Sequence, residues 1–120
     1  MSDVAALSAR VDALQAKVDE AERYAQACRA AVARLKAPAD ALSAVSVDVA
    51  GLRSKSAKVD RARARAASAG RDVNAVRSRV SDALGDLERV ARTYERRAQE
   101  ARLDLRAASM QLAYAVAGAR

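Results

Sequence analysis

The chain has 120 residues, 22 of them basic and 15 acidic, for a net charge of +7, with a single Cys and no His, Trp or Phe. A chain of this length is expected to fold as one domain. Without His, and with only one thiol, it can build neither a four-ligand zinc site nor a Ser-His-Asp or Cys-His nucleophile pair, and three Tyr as the only aromatics are too few for a large globular core. The four glycines (Gly51, Gly70, Gly85 and Gly118) support no phosphate-cradling loop. The expectation is therefore a protein that is not an enzyme and carries no metal or cofactor.

The N-terminus, Met1-Ser2-Asp3-Val4, has an acid where an export leader carries basic residues, and no apolar core follows. This predicts a cytoplasmic protein, or one exported without a classical signal peptide. Ser2 or Asp3 can cap a helix. Val4, Leu7, Val11, Leu14, Val18, Ala21, Ala25, Cys28, Val32 and Leu35 then alternate spacings of three and four, the seam of a coiled coil. The spacing predicts a first helix over about 3–36. Pro38 lacks a donor and disfavours helix at Ala37, which predicts a turn at 37–40 and a shift of heptad phase across it. Cys28 occupies a d position. It reads as a small apolar core residue, or as a thiol facing its copy in a parallel dimer.

Beyond the proline, 40–116 is predicted helical. Residues 45, 52, 59, 66, 73, 80, 87, 94, 101, 108 and 115 are apolar throughout. The companion set from 42 to 112 fails only at Ser56, Arg63, Gly70 and Arg77. Gly70 before Arg71-Asp72 could end one helix and start another, whereas the heptad phase runs through Gly70 unbroken; the alternatives are one helix over 40–116 and a break or kink near 67–72, the latter slightly favoured. The chain contains 33 Ala, many at seam positions. Alanine favours helix, but each buried one contributes far less than a leucine.

The charge is concentrated. Residues 53–79 hold nine basic and two acidic groups, whereas 1–37 and 80–120 are nearly balanced. In the balanced arms Asp19–Arg23, Glu88–Arg92 and Arg96–Glu100 are spaced for pairing along helix faces. Lys58, Arg61 and Arg65 would form a stripe suited to phosphates, and Arg53, Lys55 and Arg63 extend the candidate polyanion contacts. The alternative is a solvated basic connector, and no aromatic lies between residues 25 and 93 to stack on bases. Tyr94 lies on the seam, and Tyr24 lies off it as a candidate partner contact. The uncharged run 107–119, with Met110, Leu112, Tyr114 and Val116, rises only about 20 Å as helix, too short for a bilayer. Core packing is its expected role, with an exposed docking or membrane-surface segment as the alternative.

Ala-rich heptads, a turn after about 36 residues and the segment Leu87-Glu88-Arg89-Val90-Ala91-Arg92-Thr93-Tyr94-Glu95-Arg96-Arg97 together resemble the WXG-motif helical-hairpin family of type VII secretion. Val49-Ala50-Gly51 stands where that family has its Trp-containing turn, and Tyr94 and Tyr114 are followed four residues on by Ala98 and Gly118 rather than by an acid. The resemblance implies a hairpin that pairs with a related hairpin or with the helical leader of a larger substrate.

The combined expectation is an all-α chain, an elongated antiparallel helical hairpin or three-helix coiled-coil bundle, without a transmembrane segment. Its function would be protein–protein association, in a homo- or hetero-oligomer. The expected partner-binding seams are Val4, Leu7, Val11, Leu14, Val18, Val32 and Leu35 with Leu84, Leu87, Tyr94, Leu105 and Leu112. Nucleic-acid or other polyanion binding through 53–79 and a phage or structural coiled-coil role are the alternatives.

Overall fold

A computed structural model of the chain describes residues 2–46 and 57–119. These form two helices, α1 (Ser2–Ala44) and α2 (Ala57–Gly118), with no strand among the described residues. The fold is an all-α antiparallel hairpin rather than a three-helix bundle. Asp3 and Asp60 sit in the first turns of the two helices, where a negative charge complements the helix dipole. The chain divides into two compact units, one of residues 1–30 with 88–120 and the other of residues 31–87.

In the first unit the buried residues are Leu14, Val18, Ala21 and Ala25 of α1 and Ala91, Ala98, Ala101 and Ala108 of α2. Each lies on the a/d face read from the heptads. Six of the eight are alanines, so the helices approach closely and little apolar area is removed from water per residue. No large side chain is fully buried among the described residues. Two pairs fix the antiparallel register: the Arg29 guanidinium binds Glu95 Oε1, at 2.9 Å from Nε, and Arg102 pairs with Glu22. This register sets Ala25 level with Ala98 and Ala21 level with Ala101. Each pair is about half exposed, a setting in which an ion pair contributes at most about 1 kcal/mol. Their main effect is on alignment.

The second unit has no fully buried residue among those described; its inward face is half-buried throughout. Here the structure corrects the sequence reading twice. The first helix does not turn at 37–40. It carries Pro38 in its interior and ends at Ala44. Nor does the heptad phase shift: Ala39 and Leu42 are covered in the same register as Leu35, whereas Lys36, Ala37, Pro38, Asp40 and Ala41 are exposed. Proline interrupts a helix by removing one hydrogen bond and crowding the carbonyl four residues back, a local penalty of about 3 kcal/mol. The hydrophobic period continues beyond it, and Leu42 shares a cleft with Val80 and Leu84.

The second correction concerns Gly70. Helix α2 runs through 67–72 without interruption. A glycine that ends a helix usually adopts a left-handed conformation, and no described glycine has positive φ. Gly70 instead lies half-buried on the inward face. The connection between the helices starts after Ala44. Most of it, including the Val49-Ala50-Gly51 segment, Leu52 and Ser56, lies outside the described residues.

Candidate protein-interaction surfaces

All twelve expected seam residues sit on the inward faces of the two helices. Leu14 and Val18 are buried; Val4, Leu7, Val11, Val32, Leu35, Leu84, Leu87, Tyr94, Leu105 and Leu112 are half-buried. Within one chain these faces already cover each other. Cys28 is half-buried with a free thiol.

The seam exceptions Arg63 and Arg77 are half-buried on that same inward face. Arg77 reaches the C-terminal end of α1. It donates from Nε and Nη2 to the Leu42 carbonyl, at 3.1 and 2.8 Å, and from Nη2 to the Val45 carbonyl, while Nη1 donates to Asn74 Oδ1 at 3.0 Å. Helix α1 has no basic residue in its own last turn, so Arg77 supplies the positive charge that its dipole and open carbonyls attract. The heptad pattern marked Arg77 as an interruption and gave no sign of this role. An Arg at a seam position opposite a helix end is the signal that could have found it.

Arg63 pairs with Asp60 at 3.5 Å and leaves its Nε buried without a hydrogen-bond acceptor. Lys58, Arg61 and Arg65 are exposed on the outward side of α2, and Arg61 Nε donates to the Ala57 carbonyl at 3.3 Å. Arg53 and Lys55 lie outside the described residues. The basic segment is thus split between outward groups and two inward ones, of which Arg77 bonds across to α1 and Arg63 pairs within α2.

Tyr24, the candidate partner contact, is about half exposed. Its ring stacks on Tyr94 with centroids 5.1 Å apart, and the Arg97 guanidinium lies 5.3 Å from the Tyr94 centroid. The stack borders a cleft shared with Lys17, Ala21, Glu100 and Asp104, which exists because the alanines at this level are too small to fill the space beside the seam. The intrahelical pairs Asp19–Arg23, Glu88–Arg92 and Arg96–Glu100 are not closed among the described residues; Asp19 accepts from Gln15 Nε2 instead, at 3.0 Å. Such exposed pairs gain little in water and lose side-chain entropy, whereas Glu22 and Glu95 have cross-helix partners.

The 107–119 run also departs from expectation. Leu112 faces inward, but Met110 is 55% exposed and Tyr114 76%, and Val116 is exposed as well. Only one face of α2 meets α1, so the opposite face of an uncharged segment is left in water. Leu103, unremarked in the sequence reading, joins this surface at 59% exposure. No helix of the described residues is long and apolar enough to cross a membrane, and no cluster of metal-ligating side chains occurs among them.

No family model, no curated protein and no solved structure matches the chain.

Proposed function

We propose that the chain is a non-catalytic association module, a helical hairpin that assembles with another protein chain. The observation that carries this reading is the core. Eight residues form it in the first unit, six of them alanine, and no large side chain is fully buried among the described residues. A fully buried Leu or Val contributes about 1.5–3 kcal/mol, and an alanine methyl about 0.8 kcal/mol. A hairpin built this way is marginal alone, and burial against a second chain adds what the core lacks. Association stabilises by mass action, so the melting temperature is expected to rise with protein concentration or with added partner. Circular-dichroism melts over a hundredfold concentration range test this. A concentration-independent monomer that melts above about 65 °C, the upper end for mesophilic domains, would remove the need for a partner.

Polyanion binding is the rival proposal. It draws on the exposed i, i+3, i+7 stripe of Lys58, Arg61 and Arg65. A labelled DNA duplex titrated at two salt concentrations tests it, because phosphate contacts lose affinity steeply as salt rises. Absence of binding at low salt excludes it.

A further inference from the structure

Helix α2 carries a second apolar stripe on its outward side, distinct from the face that meets α1. Leu103, Ala107, Met110, Tyr114 and Ala117 follow one another at spacings of four, three, four and three, and all five are exposed. This is the spacing of a coiled-coil seam. The adjoining positions of the stripe toward the N-terminus are charged, Arg96 and Glu100, so the apolar part is confined to 103–117. We propose that this stripe is the contact through which two copies of the chain pair, α2 antiparallel to α2. The proposal rests on the association reading above and names the partner as a second copy.

The order of residues favours this occupant. About a twofold axis between residues 108 and 109, Leu103 falls against Tyr114 of the second copy and Ala107 against its Met110. The stripe is self-complementary, as a twofold interface requires. Charge selects the direction. In the antiparallel register Glu100 is level with Ala117, Arg106 with Gln111 and Asp104 with Ala113, so no like charges face each other. A parallel, in-register pair would set Glu100 on Glu100 and Arg96 on Arg96. Area sets the strength. Leu103, Met110 and Tyr114 expose 59%, 55% and 76% of their surfaces. That amounts to roughly 400 Å² per copy, and with the intervening alanines a pair that covered all of it would bury at most about 1,000 Å², the small end of the range for a specific interface. An interface this small is expected to form a weak, reversible dimer.

Sedimentation equilibrium from about 5 to 500 µM tests the pairing, with Met110→Glu and Tyr114→Glu as stripe variants and Ala13→Glu, on the exposed side of α1, as control. The expected result is a wild-type dimer, at least a tenfold weakening by either stripe variant with unchanged helical circular dichroism, and no effect of the control. A spin label at Gln99→Cys in a Cys28→Ser background reads the direction. Antiparallel copies place the two labels about 30 Å apart along the helix axis, and parallel copies bring them together. A wild-type monomer throughout the range, or a short label distance, overturns the proposal. A dimer indifferent to both stripe variants also overturns it while leaving the association reading intact. Failure of that broader reading shows separately, in the melts described above.

Discussion

Arg77 closes the end of helix α1 by donating from two guanidinium nitrogens to the carbonyl of Leu42. A third donation goes to the carbonyl of Val45, one residue past the helix end. Hydrogen bonds to charged groups contribute about 1.5–3 kcal/mol, and these are only part-buried. Arg77→Met keeps the length of the side chain but removes the donors. It is expected to lower stability by about 1–2 kcal/mol and to strip hydrogen-exchange protection from residues 39–46 first. Arg77→Lys should restore only part, because an ammonium lacks the planar fork that reaches two carbonyls at once. Unchanged protection at 39–46 in Arg77→Met would show that the cap is dispensable.

Pro38 makes the opposite kind of prediction. It lies inside α1, exposed, and contributes nothing to the inward face. Replacing it by Ala restores the missing donor and removes the ring's clash. Pro38→Ala is expected to stabilise the chain by about 1–3 kcal/mol, read as a higher midpoint in urea at unchanged m-value. A loss of stability would mean that the ring itself packs usefully.

The heptads were legible because a hairpin covers one face of each helix, and a/d spacing records that face directly. Leu14, Val18, Ala91 and Ala98 are buried where that spacing places them. The helix ends were less legible. Pro38 and Gly70 are local signals, and each was outweighed by a hydrophobic period that continues past it: Leu42 beyond Pro38, Val73 beyond Gly70. The cap by Arg77 and the stack of Tyr24 on Tyr94 join residues 35 and 70 positions apart, and nothing in the local pattern sets their alignment. Met110 and Tyr114 of the outward stripe were visible only as part of an uncharged run, and Leu103 lies outside that run, since which face of α2 meets water depends on where α1 lies.

Gly85 and Ala98 test the packing from two directions. A Cβ added at Gly85 meets nothing within 4 Å, and the backbone there has no positive φ. Gly85→Ala is therefore expected to gain about 0.5–1 kcal/mol from helix propensity alone. Ala98 is 2% exposed. Ala98→Leu pushes a branched side chain between helices held close by alanine and is expected to lose about 1–3 kcal/mol, measured by urea denaturation. If Ala98→Leu instead stabilises, the alanine seam is loose enough to open, and the case for a close-packed first unit fails.

The Tyr24–Tyr94 stack is a ring pair that spans the two helices at the alanine level, and its strength helps decide how much of the first unit's stability lies outside the seam. Centroids 5.1 Å apart at an interplanar angle of 30° lie within the range of favourable ring pairs. Tyr24 is about half exposed, so its own burial is modest. Tyr94 packs beside Arg97 as well, so its loss alone mixes several contacts. A double-mutant cycle with Tyr24→Leu and Tyr94→Leu separates them. The coupling is expected at about 0.5–1.5 kcal/mol, with Tyr94→Leu the more damaging single change. The chain has no Trp, so tyrosine emission gives a second readout. Unfolding should change the signal of the stacked pair, while Tyr114, 76% exposed, changes little. A coupling near zero would assign the stability of this unit to the Leu14, Val18 and alanine seam alone.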